Sequence, residues 1–104
     1  MVKLQGTIKK VFPTETFNNF EKRIFWLDSG HEKYPNTWCL ELWKNDTKMI
    51  DNYREGDFIT AYIDIKGKHW LRHDGKEGVM NTLKCWNIEK DGVSFKEILP
   101  SENE

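Results

Sequence analysis

A chain of 104 residues has room for one domain and a modest core. Its 38% hydrophobic content and mean hydropathy of -0.76 leave much of it as solvated loop or strand face. No stretch approaches the roughly 18 apolar residues of a membrane span, Met1 to Gly6 has no apolar run of the signal-peptide kind, and a net charge of -1 argues, as a single number, against a polyanionic partner.

The hydrophobic period is mostly two, which specifies strands. The first run covers residues 2–12, with Val2, Leu4, Gly6 and Ile8 on one face. Gly6 within a strand marks a bend or a close backbone approach. Pro13 ends the run, and residues 14–19 read as a loop. The second run, 21–28, alternates Arg23, Phe25 and Leu27 with Lys22, Ile24 and Trp26, and a loop holding His31, Tyr34 and Pro35 follows. The third run, 37–43, sets Trp38, Leu40 and Leu42 against Cys39, Glu41 and Trp43.

The period then switches. Asn45, Asp46 and Thr47 are helix N-cap residue types, Met49, Ile50 and Tyr53 follow at helical spacing, and Gly56 is a helix stop. One short helix of two to three turns is expected, its apolar side on a sheet. The fourth run, 58–66, places Ile59, Ala61, Ile63 and Ile65 inward and Phe58, Thr60, Tyr62, Asp64 and Lys66 outward. Gly67 is a kink point, beyond which the run can extend to Trp70. Asp74-Gly75, with Gly78, marks a hairpin tip. The fifth run, 79–88, points Leu83 and Cys85 inward. Residues 91–104 read as a short acidic tail, partly disordered, after a domain at 1–90. Three strands, a short helix and two strands make an all-β chain with one helix. This is the order of the OB-fold, a five-stranded Greek-key barrel with its helix between strands three and four.

The five tryptophans exceed what a small core needs. Arg23 precedes Trp26, Lys44 follows Trp43, Lys68 and Arg72 flank Trp70, and Lys84 precedes Trp86. Flat rings beside flexible cations suit single-stranded nucleic acid, whose bases stack on the rings while phosphates meet the cations. Parity sorts the rings. Trp26 and Trp43 lie opposite the core positions of their strands, and Trp70 sits in a charged hairpin with little core to fill. Trp38 shares the face of Leu40 and Leu42 and reads as core. Trp86 either binds or closes the barrel, and Tyr34 either stacks a base or packs its own loop. Lys22, Arg23, Lys44, Lys66, Lys68, Arg72 and Lys84 are candidate phosphate contacts, each also readable as a plain surface cation.

The charge is unevenly placed. Residues 89–104 carry a net -3 and the first 88 residues a net +2, while residues 66–84 carry a net +3. Cys39 and Cys85 lie in strands and, without an export signal, read as reduced thiols of a cytoplasmic protein. His69 and His73 share a face only on a helix, and His31 and the cysteines are scattered, so neither metal nor cofactor is expected. No Gly-rich phosphate loop, Ser/His or Cys/His pairing or framed carboxylate pair appears, so the chain reads as a binding protein and not an enzyme.

The stretch Gly56-Asp57-Phe58-Ile59-Thr60-Ala61-Tyr62-Ile63-Asp64-Ile65, then Lys68-His69-Trp70 and Asp74-Gly75-Lys76, resembles the second half of bacterial and phage single-stranded DNA-binding proteins. Thr37 to Asn45 resembles their third strand and turn, and the colinearity covers most of residues 2–88. The resemblance makes Trp70 a base-stacking tryptophan and puts Trp43 where that family stacks a phenylalanine. Leu4-x-Gly6, Phe25-x-Leu27 and Tyr34-Pro35-x-x-x-Cys39-x-x-Leu42-Trp43 also resemble a family of short uncharacterised bacterial and phage OB-like proteins. The stretch around Phe17 to Phe20 departs from the DNA-binding family, as does the lack of a long Gly-rich linker with an acidic tip. What the resemblance implies is sequence-independent binding of single-stranded DNA in replication, recombination or repair, by a homo-oligomer with replication or recombination proteins as further partners. Two alternatives stand beside it: a protein-docking module of a replisome or primosome, using Phe58, Tyr62 and Trp86, and an RNA-binding protein.

Overall fold

The computed structural model describes residues 2–30 and 32–96; His31 and residues 97–104 of the acidic tail lie outside the described residues. The elements are β1 (Val2–Val11), β2 (Glu15–Phe17), β3 (Phe20–Asp28), β4 (Thr37–Trp43), a 3-10 helix (Lys44–Asn52), β5 (Phe58–Leu71), β6 (Glu77–Lys90) and β7 (Val93–Ser94). Strands β1, β5, β6, β4 and β3 form a closed sheet, because β1 pairs antiparallel with both β5 and β3. This is the five-stranded OB barrel, with its helix between β4 and β5.

Closure rests on β1. Its first half pairs with β5, from Val2↔Ile63 to Thr7↔Phe58, and its second half with β3, from Thr7↔Asp28 to Val11↔Phe25. A register shift between Ile8 and Lys10 bends the strand from one partner to the other. At the handover a Cβ on residue 6 would lie 2.5 Å from the Asp28 carbonyl oxygen, so only glycine fits.

Alternation supplies the core: Ile8, Phe25, Leu27, Leu40, Leu42, Ile59, Ala61, Ile63, Cys85 and Ile88 are buried, with Met49 and Ile50 from the helix. Trp38 packs against this core from a half-buried position and donates its ring N–H to Ser29 Oγ at 2.7 Å. Burial pushes the Cys85 thiol up to about 12, so this sulfur is a packing group.

The structure corrects several expectations. Ile65 has inward parity but is 62% exposed, because the β5–β6 hairpin outruns the barrel there. As the sequence allowed, the strand runs on past Gly67, and it ends at Leu71, one residue beyond Trp70. Residues 15–17 form a strand where a loop is expected. Asn18 and Asn19, with φ of 48° and 66°, make the two-residue turn that pairs Phe17 with Phe20. The helix is 3-10, its Asn45 and Asp46 lie inside it, and no side chain caps its start. Thr47 Oγ1 instead donates back to the Lys44 carbonyl at 2.9 Å. Residues 91–96 are built onto the barrel: β7 pairs with β6, buried Asn87 bonds Ser94 Oγ and the Lys96 N–H, and Lys96 meets Asp46 at 2.6 Å.

Arg23 is the bolt between helix and barrel. Its guanidinium donates to the Phe12 carbonyl (2.7 Å), the Thr47 carbonyl (3.2 Å) and Asp51 (2.8 Å), and only 16% of the side chain is exposed. Arg23→Met should therefore cost about 2 kcal/mol in urea unfolding, because it strands acceptors that a charged donor satisfied. Asp57 closes the turn before β5. The Arg54 N–H donated to its carboxylate is the main cause that holds its pKa below the usual carboxylate range; partial desolvation opposes this, and Lys90 at 3.3 Å helps. Its stabilising contribution is present above the unfolded carboxylate pKa and is lost as pH falls through the lowered folded value. Asp57→Asn should flatten the acid limb of a stability–pH profile and leave the limb above neutrality unchanged.

Candidate nucleic-acid interface

Trp43 ends β4 on its outer face, opposite Lys22 of β3. Four side chains fix its ring. The indole N–H donates to Glu41 Oε1 at 2.9 Å, Phe20 meets it edge-on at 5.4 Å, and Lys84 and Lys66 hold their ammonium groups 5.1 and 5.9 Å from its centroid. Lys66 and Lys84 arrive from the β5–β6 hairpin, where Asp64↔Lys84, Lys66↔Thr82, Lys68↔Met80 and Trp70↔Gly78 are cross-strand pairs. A period of two puts these side chains on one face.

Trp70 lies across Gly78. A Cβ there would come within 2.5 Å of the indole Cζ2, so the missing side chain makes the ring's bed. The ring remains 39% exposed. The tip beyond it is tied by Arg72 to Asp74 (2.8 Å) and by the Lys76 N–H to the same carboxylate (3.0 Å), with Gly75 at φ 89°.

Three hollows join along this face. One of about 380 Å³ lies between Trp43, Lys44, Lys66 and Lys84. It shares Trp43 and Lys66 with a groove of about 520 Å³ whose walls include Phe20, Lys22, Lys68 and Met80. That groove shares Lys68 and Met80 with a third, of about 430 Å³, between Trp70 and Arg72. The result is one channel from Lys44 to Arg72, with a fixed ring towards each end and cations between them.

The channel thus gathers Trp43, Trp70, Lys22, Lys44, Lys66, Lys68, Arg72 and Lys84. The other sequence candidates lie elsewhere. Trp26 is on the same outer face but pairs with Cys39, four residues along the strands and so about 13 Å from the Lys22–Trp43 row. It packs on Phe12 at 5.0 Å under Lys10. Its neighbour Cys39 has a raised thiol pKa, chiefly from desolvation and then from Glu41, against a hydrogen bond from Trp26 and the charge of Lys22. Trp86 packs on Tyr62 at 5.5 Å, and the Tyr62 hydroxyl donates to Glu89 at 2.9 Å, the main cause of its raised pKa. Tyr34, 64% exposed beside Lys33, is in the loop at the far end of the β3–β4 ladder, about 20 Å from Trp43. Arg23, read from sequence as a phosphate contact, faces the helix and bonds the protein itself.

Sequence reasoning missed Phe20, Phe17, Met80 and Glu41. Phe17 is 53% exposed with Lys22 at 5.8 Å, and Met80 is 60% exposed beside Trp70. The signal was there: Phe17-Asn18-Asn19-Phe20 is a turn-forming Asn pair between aromatics, and Met80 shares the parity of Thr82 and Lys84. Among the described residues no group of three His, Cys, Asp or Glu side chains could hold a metal ion, and no helix is long and apolar enough to cross a membrane.

Residues 3–89 match the protein family described as a domain of unknown function (DUF3127). No curated protein matches the chain. Among solved structures, the crystal structure of the S. cerevisiae mitochondrial single-stranded DNA binding protein Rim1 superposes with a TM-score of 0.67 at 18% identity. The match covers 86% of this chain and 92% of that one. Its selenomethionine-labelled counterpart gives 0.64 at 18% identity, covering 85% and 90%. At that identity the likeness is one of fold.

Gly78→Val tests the bed of Trp70. The added side chain should lift the indole off the hairpin, so that acrylamide quenches Trp70 more strongly in a variant that keeps Trp70 alone among the tryptophans. The barrel's unfolding midpoint should shift little, because both residues lie outside the core.

Proposed function

We propose that this chain, which belongs to the DUF3127 family, binds single-stranded DNA without a strict sequence requirement. The observation that carries the reading is the channel itself: Trp43 and Trp70 are fixed and accessible towards its two ends, and Lys22, Lys44, Lys66, Lys68 and Lys84 line it. The mechanism is non-covalent. Bases stack on the two indoles, each worth about 1–3 kcal/mol, while the lysines and Arg72 displace counterions from phosphates. The fold shared with a protein named for single-strand binding supports the same ligand. Trp26 with Lys10 offers a further ring on the same outer face.

This reading places the protein in the cytoplasm, in replication, recombination or repair. Self-association fits it, because the hairpin's other face exposes Ile65, Leu71 and Val79 at 62%, 67% and 65%. These exposed apolar side chains, together with Phe58 on the opposite face of β5 at 60% exposure, favour protein docking as the second reading.

Titration with a mixed-sequence DNA single strand at low salt should quench tryptophan fluorescence. The log–log salt slope should be about -3 to -4, as about five phosphate contacts require. Trp43→Ala and Trp70→Ala should each weaken binding by about 5- to 150-fold. An RNA strand of the same sequence reports sugar preference. If neither strand quenches or is retained at low salt, single-strand binding is wrong.

A further inference from the structure

The channel holds two acids that a polyanion site has no need of: Asp46, at the Lys44 end, is neutralised by Lys96 at 2.6 Å, whereas Glu41 has no cation at ion-pair distance among the described residues. Among the described residues lining the central groove, Glu41 is the only acid. It is half-buried between Lys22, Trp43 and Lys66, where a carboxylate repels any phosphate that comes near. Its neighbour across the β4–β6 bridge, Lys84, does not neutralise it at contact distance; that ammonium stands 5.1 Å over the Trp43 ring. Glu41 Oε1 accepts the Trp43 indole N–H at 2.9 Å, and among the described residues the other oxygen accepts nothing. An ionised carboxylate has about four lone-pair sites, so most of its accepting capacity is unused by the described residues, at a side chain that lines the groove.

Anchoring Trp43 does not require the charge, since an amide oxygen would accept the same N–H. What the charge adds is an acceptor that cannot donate, beside the ring on which a base would stack. The edges of unstacked bases differ in just this respect. Cytosine and adenine present an exocyclic amine, and guanine presents an amine beside a ring N–H. Thymine presents one N–H between two carbonyl oxygens, which a carboxylate repels.

We infer that Glu41 is a specificity-determining residue that gives the channel a preference for amine-bearing bases over thymine. The inference rests on the single-strand binding proposed above and deepens it. Glu41 reads the edge of the base stacked on Trp43, while the surrounding lysines hold phosphates away from it.

Cytosine and thymine homopolymers of about 20 nucleotides, longer than one OB-fold covers, isolate the effect between two pyrimidines. Wild-type protein should bind oligo-dC about fivefold or more tightly than oligo-dT, as one hydrogen bond to a charged acceptor allows. Glu41→Gln keeps an acceptor for Trp43 and should bring the ratio close to one, mainly by strengthening oligo-dT. Equal wild-type affinity for the two homopolymers would overturn the inference. So would an unchanged ratio in Glu41→Gln, or a Glu41→Ala variant that loses both ligands equally while Glu41→Gln matches wild type, which marks an anchor for Trp43 and nothing more. Failure of wild-type protein to bind either homopolymer or the mixed-sequence strand would instead sink single-strand binding itself.

Discussion

The barrel closes because two backbones touch where a side chain is missing. At Gly6 the first strand passes from β5 to β3 so closely that a Cβ would meet the Asp28 carbonyl oxygen at 2.5 Å. With β1 shared, β3 and β5 are held on its two sides, and β4 and β6 must come alongside to complete the ring. They do so through one parallel pair, Glu41↔Lys84, with no extended ladder between them. The seam between β4 and β6 therefore stays open as a groove along the outside of the barrel. The same geometry carries the hairpin away from the body beyond Asp64, so its outer half has two solvent faces. Site geometry thus follows from closure: the groove is the seam, and its far wall is the hairpin that outruns the core.

Charge in this molecule matters locally. A net charge of -1 says little about a ligand that meets a row of lysines, because charges more than about 8–10 Å apart on a wet surface are largely screened at physiological salt. The resting lysines also sit on rings: Lys84 and Lys66 over Trp43, Lys22 over Phe17, Lys10 over Phe12 and Trp26. An exposed cation–π contact is worth about 0.5–1 kcal/mol, and a stacked base about 1–3 kcal/mol. On the proposed function a base would therefore win the ring, and the displaced ammonium would gain a phosphate, so that one exchange would satisfy both halves of the ligand.

Much of this was legible from period alone. Alternation placed Phe25, Leu27, Leu40, Leu42, Ile59, Ala61 and Ile63 inside, and the same parity put Trp43 outside. Where the reading failed, a non-local fact had intervened. Ile65 has core parity but no core beneath it, because the end of the barrel is set by the other strands. Arg23 was legible in principle, since it shares the parity of Phe25 and Leu27. A cation on the inner face must find acceptors, and it finds them in the helix and the end of β1. The register shift between Tyr62 and Ile63 puts Trp86 beside Tyr62, which no alternation rule foresees. Glu41 was invisible because its importance lies in what surrounds it, and that is assembled from four strands.

The two end rings differ in how they are held, and both modes reduce the cost of binding. Trp43 is fixed by a hydrogen bond and an edge contact, Trp70 by the shape of the strand at Gly78. Immobilising a free side chain on binding costs roughly 0.5–1.5 kcal/mol, much of which is met here when the chain folds. Neither ring belongs to the buried core, and the lysines between them stand on the outer faces of their strands. Site and scaffold therefore share backbone but few side chains. Arg23 shows the converse: a cation close in sequence to Trp26 that serves only the scaffold. Proximity in sequence groups Arg23 with the Trp26 ring, whereas strand parity separates them, and for a chain built on strands parity is the better guide to which side chains share a face.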